Sequence, residues 1–335
     1  MPKLRIALNG FGRIGRLFTR YILEETNAEL VAVNDLGDPA TLVHLFEWDS
    51  IHGRYPGTVE LHNSAMVVNG KPILLLNTED PAALPWKKLN IDVVVEATGA
   101  FRTGKDAQKH LRAGAKRVVL SAPGKDTTFT TVVIGVNHTS LTSSDLLISN
   151  ASCTTNCLAP LVKILDDHFG VRQGMMSTIH AYTSDQRLQD APHRDLRRAR
   201  AAATNIIPTT TGAAKAIGQV LPHLNGKIAA ISYRVPVADG SLIDLIAQLE
   251  RPTTKEHIQH VFQTAAHTDY QGILQYSTHP LVSSDIIGNT HSAILDAPLL
   301  QLSGDTVRLV AWYDNESGYA KRLSELVAHH LPAIG

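Results

Sequence analysis

The sequence predicts an α/β protein of two domains. The first half reads as a parallel sheet covered by helices. The second reads as an α+β domain on a mostly antiparallel or mixed sheet. Three observations carry this. Short apolar strands alternate with helix-spaced segments up to about residue 150, the pattern of a parallel sheet with helices on both faces. Beyond that point the apolar segments lengthen into strands with few helices between them. The chain has 335 residues, more than a single hydrophobic core usually supports.

The elements follow in order. "KLRIALNG" is a short buried strand, Leu4 to Leu8, ending at Asn9-Gly10. "RIGRLFTRYILEE" has helical spacing, with apolar residues at Ile14, Leu17, Phe18, Tyr21 and Ile22. "ELVAVND" is a second strand ending at Asp35, and "IDVVVEATG" a third, Ile91 to Ala97, closed by Gly99. "KDAQKHLRAGA" is a helix, and "RVVLSAP" and "TVVIGVN" are further strands. In the second half "NCLAPLVKILDDHFG" is a helix stopped by Gly170. "GMMSTIHAY", "IAAISYRVPV", "SLIDLIAQLE" and "VRLVAWYDN" are strands. Between His180 and Ile206 runs a polar, basic stretch with little periodicity, and a loop of that length is usually functional or interfacial. The predicted domains are 1–150, completed by a C-terminal helix over 318–335, and 151–317.

Composition excludes several classes. With 44% hydrophobic and 19% charged residues the chain is ordinary for a soluble globular protein. Lys plus Arg and Asp plus Glu both number 31, so no net charge favours nucleic acid or a membrane surface. No run approaches the ~20 apolar residues of a membrane span. The N-terminus enters an apolar strand at once, without the pattern of a signal peptide. Two cysteines and no secretion signal point to the reducing cytoplasm.

"GFGRIG" sets Gly10, Gly12 and Gly15 in G-x-G-x-x-G spacing, after a strand and at the opening of a helix. Asp35 ends the next strand, twenty residues after Gly15. That context marks a dinucleotide site of the Rossmann kind. Gly10 allows a tight turn, Gly12 a close backbone approach to pyrophosphate, and Gly15 close helix–strand packing. The helix N-terminus offers free N–H groups to the phosphates. Asp35 suits a ribose 2′-hydroxyl and repels a 2′-phosphate, which favours NAD over NADP.

Both cysteines lie in "SNASCTTNC", Ser149 to Cys157, among hydroxyls and amides. Two cysteines are half a structural zinc set, so no metal is expected. The segment precedes an apolar helix, which puts Cys153 near a helix N-terminus, where a thiolate is stabilised. Among 16 histidines, His180 is the candidate partner, because it ends the strand that opens the long polar loop. Cys157 reads as packing in preference to a redox partner. A thiolate beside a nicotinamide adds to an aldehyde to give a thiohemiacetal. Hydride transfer then leaves a thioester, which water opens to an acid or phosphate to an acyl phosphate.

At these motifs the chain resembles the phosphorylating glyceraldehyde-3-phosphate dehydrogenase family, over nearly its whole length. The matching segments are Leu8 to Arg16, "SNASCTTNCLAP", "HAYTSDQ", "DLRRARAAATNIIPTTTGAAKA", "RVPV" and "WYDNESGY". The resemblance implies Cys153 as nucleophile and His180 as its base. It implies that Ser152, Thr154, Thr211 and Gly212 receive the attacking inorganic phosphate. Thr183 and Arg234, helped by Arg198, would hold the substrate's phosphate. Arg13, Ile14, Asp35, Thr98, Ser121 and Asn315 would contact NAD, Asn315 at the nicotinamide amide. The loop from about Ala181 to Ala203 resembles the family's S-loop, which lines a neighbouring subunit's cofactor in a homotetramer. The partners so implied are glyceraldehyde 3-phosphate and inorganic phosphate, with neither nucleic acid nor membrane.

Some positions depart from the family pattern. Ser317 stands where Trp is frequent, Ala191-Pro192 where NAD-specific members usually have Leu-Pro, Gly37 follows Leu36, and Glu79 replaces a common Arg or Lys near the adenosine. Asp35 and Glu79 disfavour a 2′-phosphate, while Ala191 leaves room for one. Two other functions compete: a hydrolytic erythrose-4-phosphate dehydrogenase, and a non-catalytic NAD-binding protein.

Overall fold

The computed structural model describes residues 3–333. The chain divides into two compact units. One comprises Met1–Val132, His138–Ala151 and Ala320–Gly335, the other Val133–Asn137 and Ser152–Tyr319.

The first unit is built on a nine-stranded sheet. Its elements are β1 (Leu4–Asn9), α1 (Arg13–Ile22), β2 (Ala28–Asn34), α2 (Pro39–Glu47), β3 (Val59–His62), β4 (Ala65–Val68), β5 (Lys71–Leu76), β6 (Val93–Glu96), α3 (Gly104–Arg112), β7 (Arg117–Leu120), β8 (Thr130–Thr131) and β9 (Leu147–Ser149). The order is β3-β4-β5-β2-β1-β6-β7-β9-β8. Strands β5 to β8 are parallel, and β3 and β4 form an antiparallel edge. The order reverses between β1 and β6, the switch point where open α/β sheets bind ligands. β6 and β7 are buried along their whole length, as expected of strands covered on both faces. α1 buries Leu17, Phe18 and Ile22, three of the five apolar positions read from its spacing.

The second unit carries an eight-stranded mixed sheet. Its elements are α4 (Cys153–Phe169), β10 (Val171–Ala181), β11 (Ile207–Thr209), α5 (Ala213–Val220), β12 (Ile228–Val235), β13 (Ser241–Leu249), α6 (Lys255–His267), β14 (Leu274–Ser277), β15 (Ala293–Asp296), β16 (Gln301–Ser303) and β17 (Thr306–Tyr313). β10 pairs parallel with β12 and antiparallel with β13, which in turn pairs antiparallel with β17. α4 buries Leu158, Leu161, Val162 and Leu165 and ends at Gly170, whose φ of 68° only glycine adopts readily.

Two expectations about elements need correction. "TVVIGVN" is not a strand beyond Thr131. The Asn137 side chain accepts from Val133 N at 2.9 Å, and Gly135 takes a φ of 82°, so the segment folds into a turn. The C-terminal helix α7 spans Ser317–Glu325 and continues as a π turn, Leu326–His330, before Leu331 turns extended. It is shorter than 318–335, and residues 334–335 of that span lie outside the described residues.

Candidate active site

In the second unit, Ser152 and α4 place the thiol. Ser152 is the N-cap: its Oγ accepts from Thr155 N at 3.1 Å, which starts the helix at Cys153. β10 carries His180 at the other side, and Cys153 Sγ lies 3.5 Å from His180 Nε2. His180 Nδ1 lies 2.7 Å from Ala181 O and 3.1 Å from Arg234 Nη1. The imidazole therefore has a partner for either state of Nδ1. Protonated, Nδ1 donates to Ala181 O and leaves a lone pair on Nε2 for the thiol proton. Unprotonated, it accepts from Arg234 while Nε2–H faces the sulfur.

Burial opposes each charge taken singly. It pushes the Cys153 thiol up, against the pull of Arg234 and of the Thr154 N–H. This runs against the depressed thiol pKa expected from the sequence, because desolvation outweighs those contacts. Burial, with Arg234 and Arg198, brings His180 down to about 3. The two charges thus arise together, as a proton passes from Sγ to Nε2, with the α4 N-terminus favouring the sulfur anion.

Tyr313 supports both members of the pair. Its hydroxyl lies 3.0 Å from Thr154 Oγ1 and 2.8 Å from Thr178 Oγ1, and its ring meets the His180 ring edge-on at 5.9 Å. Thr154 itself is buried. Cys157, one turn along, is fully buried, and burial raises its thiol. That is the environment of a packing residue.

The anion-binding candidates divide. Arg234 Nη1 reaches Thr183 Oγ1 at 3.3 Å, while the buried Arg234 Nε has no hydrogen-bond partner among the described residues. Arg198 is tied into its own loop: it pairs with Asp185 and bonds Thr209 Oγ1 at 3.0 Å and Thr210 O at 3.1 Å. Thr211 and Gly212 open α5, where Gly212 provides no side-chain cap and a Cβ on it would meet nothing within 4 Å. Asn315 is buried, and Ser241 donates to its Oδ1 at 2.6 Å, so its Nδ2 is the free donor side of the amide.

In the first unit the glycine loop meets a geometric test for a dinucleotide. A Cβ on Gly10 would lie 2.6 Å from Ala97 C, and one on Gly15 2.3 Å from Gly10 O. Both positions are filled by the protein's own backbone. A Cβ on Gly12 would meet nothing within 4 Å, and α1 has no side-chain cap. Open space above uncapped N–H groups is the cradle a pyrophosphate requires. Asp35 accepts from Phe11 N at 2.7 Å and Gly37 N at 2.9 Å, which fixes its carboxylate beside the loop. Arg13 pairs with Asp49 at 2.6 Å. Burial alone would raise the Asp49 carboxyl, but the N–H groups of His52 and Ile51 and the Arg13 side chain hold it at about 2. Ile14 is half-buried in the first turn of α1, Ser121 directly follows β7, and Glu79 and Thr98 are exposed.

Two family models match the chain. "Glyceraldehyde 3-phosphate dehydrogenase, NAD binding domain" covers residues 4–104, and "Glyceraldehyde 3-phosphate dehydrogenase, C-terminal domain" residues 152–315. "Glyceraldehyde-3-phosphate dehydrogenase 2" of Bacillus subtilis (strain 168) is 49% identical over 98% of this chain and 96% of its own length. "Glyceraldehyde-3-phosphate dehydrogenase" of Mycobacterium avium is 52% identical over 97% of this chain and 98% of its own. The Geobacillus stearothermophilus protein of that name is 49% identical over 97% and 98%. The chain belongs to the glyceraldehyde-3-phosphate dehydrogenase family. It is an NAD-dependent oxidoreductase of that family, with the family's NAD-binding domain in its first half.

Some residues that the structure places beside these candidates were not singled out by the sequence. Tyr313 and Thr178 sit in apolar strands and look like core. Glu96 is buried at the end of β6 with His110 against it. The signal for Glu96 was present: a charged residue closing the otherwise apolar run "VVVE". Among the described residues no helix is long and apolar enough to cross a membrane.

Proposed function

We propose that this protein oxidises D-glyceraldehyde 3-phosphate to 1,3-bisphosphoglycerate, using NAD and inorganic phosphate, in the cytoplasm. The observation that carries the reading is the Cys153–His180 pair, 3.5 Å apart at the head of a helix. Cys153 Sγ attacks the aldehyde carbon, and its proton passes through His180 Nε2 to the carbonyl oxygen, giving a thiohemiacetal. Nε2 then takes the hydroxyl proton back as the hydride departs, and a thioester remains. When bound, NAD supplies the hydride acceptor. An oxygen of inorganic phosphate attacks the thioester carbon, the C–S bond breaks, and Cys153 leaves as thiolate.

Arg234 and Thr183 hold the substrate's own phosphate in this reading, assisted by Arg198. The unpartnered buried Arg234 Nε supports it, since buried donors are normally paired. Ser152, Thr154, Thr211 and Gly212 receive the attacking phosphate, and the head of α5, where the Thr211 hydroxyl meets Ala213 N and Gly212 leaves open space, supports that role. Gly10, Gly12, Arg13, Ile14, Gly15, Asp35, Glu79, Thr98 and Ser121 hold NAD, with Asn315 at the nicotinamide amide. The unit from Ser152 is thus the catalytic domain, and the glycine-loop unit the NAD domain.

The reading extends to a homotetramer. Met175 and Ile246 are register partners on the outward face of the sheet, 72% and 46% exposed, and Leu188, Leu196 and Ile206 stand exposed on the long loop. Such apolar surface favours a partner, and light scattering at four times the chain mass is the expected result.

The deciding experiment is NAD reduction with glyceraldehyde 3-phosphate, with and without inorganic phosphate, then with NADP. Phosphate-dependent NADH formation supports the acyl-phosphate reaction. Equal rates without phosphate make the reaction hydrolytic, and no reduction with either cofactor leaves a binding protein.

A further inference from the structure

The first unit holds a buried polar cluster that the proposed chemistry does not use. Glu96 is fully buried at the end of β6. Its Oε2 lies 2.6 Å from Asn9 Nδ2 and 3.1 Å from His110 Nε2. Its Oε1 accepts from Thr98 N at 2.8 Å and from the Thr98 hydroxyl.

The proton in each contact follows from the next bond outward. Asn9 Oδ1 accepts from Asn34 Nδ2 at 2.7 Å, so the Asn9 amide turns its NH₂ toward Glu96. The Trp86 indole N–H, which can only donate, lies 3.0 Å from His110 Nδ1. Nδ1 is therefore the acceptor, and the ring proton sits on Nε2, facing Glu96. Thr98 Oγ1 accepts from Ala100 N at 3.1 Å, which leaves its hydroxyl hydrogen for Glu96. Among the described residues Glu96 meets four donors and no acceptor, the surroundings that suit a carboxylate accepting on both oxygens. No donor brings a full positive charge, since His110 is the neutral Nε2–H form.

A buried carboxylate without a cation is costly to keep, and an apolar side chain often serves stability as well or better. Its placement supplies the reason. Asn34 exchanges two bonds with Thr78, Nδ2 to Thr78 O at 2.9 Å and Thr78 N to Oδ1 at 2.9 Å. The cluster thus ties together the ends of β1, β2 and β6 and the segment after β5. One residue beyond Asn9, Asn34 and Thr78 come Gly10, Asp35 and Glu79, and Thr98 is itself a member. Four assigned cofactor positions hang from one carboxylate.

We infer that Glu96 is a positioning residue for NAD: its carboxylate sets the spacing of the strand ends that present Gly10, Asp35, Glu79 and Thr98, and His110 supports it from α3. This rests on the NAD site proposed above. A rim ordered in advance does not have to be ordered by the ligand, which strengthens binding.

The test uses Glu96→Gln, His110→Phe and His110→Gln in the full chain. Two readouts avoid catalysis: NAD affinity by calorimetry without substrate, and deuterium exchange of residues 97–104 in NAD-free protein. Glu96→Gln turns an amide NH₂ toward a donor. It should weaken NAD about tenfold and speed exchange of that segment, with the kinetic loss in KM for NAD more than in kcat. His110→Phe should weaken NAD about threefold, and His110→Gln, which restores a donor, should recover most of it. Wild-type affinity and exchange in both Glu96→Gln and His110→Phe would overturn the proposal. If Glu96→Gln does not fold, the His110 pair decides: a Gln variant no better than Phe assigns the site to packing and overturns it. Wild-type protein that does not bind NAD overturns the cofactor reading itself, and this inference with it.

Discussion

Arg234 and His180 are register partners on the parallel strands β12 and β10, and the guanidinium lies 3.1 Å from the imidazole Nδ1. The same Nη1 lies 3.1 Å from Ala181 O and 3.3 Å from Thr183 Oγ1. One side chain therefore touches the imidazole and reaches the Thr183 hydroxyl, the base and a phosphate-binding group in the function proposed above.

Replacing Arg234 by Lys keeps a charge and loses the fork. KM for glyceraldehyde 3-phosphate should rise about tenfold or more, while turnover of unphosphorylated glyceraldehyde changes far less. Equal losses on both aldehydes would mean that Arg234 does not bind the phosphate.

His180→Asn removes the acceptor for the thiol proton. Turnover should fall roughly 10²- to 10⁴-fold. Iodoacetamide labelling of Cys153 at pH 7 should slow as well, with NAD affinity unchanged. Undiminished labelling would show that the thiol ionises without the imidazole.

Gly12→Ala and Gly15→Ala should separate binding from folding. At Gly12 the added carbon meets nothing, so the protein keeps its melting temperature and loses NAD affinity. At Gly15 it meets Gly10 O at 2.3 Å, and stability should fall by about 1–3 kcal/mol. Similar melting temperatures in the two variants would contradict this division.

Two buried groups should pull stability in opposite directions as pH changes. Burial, and the charges of His138, His329 and Arg322, hold His330 down to about 4, below the usual histidine value of ~6.5. The unfolded chain protonates first, so this contribution is present above pH ~6.5 and is lost as pH falls toward 4. Asp239 moves the other way: burial and the neighbouring Asp314 push it up to about 9. Its contribution is complete below the unfolded value of ~3.9 and is lost as pH rises through 9. The two trends offset each other between about pH 4 and 6.5, so urea midpoints should stay level there and fall from about 6.5 to 9, and Asp239→Asn should flatten the alkaline limb and uncover the acid one.

Apolar runs made β1, β2, β6, β10, β12 and β13 readable, because each keeps its period or its continuous burial. "TVVIGVN" misled for the same reason: Val132 and Val133 are buried, but at a turn closed by Asn137. The thiol's neighbourhood was legible in kind, since an N-cap serine before an apolar helix can be recognised. Its electrostatic balance was not, because desolvation depends on what the fold stacks above Cys153. The Glu96 cluster escaped for a related reason: its members are scattered from Asn9 to His110, and only strand pairing brings them together.

The hydroxyl of Tyr313 joins Thr154 and Thr178, positions 159 and 135 residues away along the chain. Contacts of such separation form late when a polypeptide collapses, because long loops must close first. During refolding, turnover should return only with the last cooperative step, after most helical signal has recovered. Turnover is then a built-in clock for completed assembly, and a partly folded chain has little opportunity to process substrate through a premature active site.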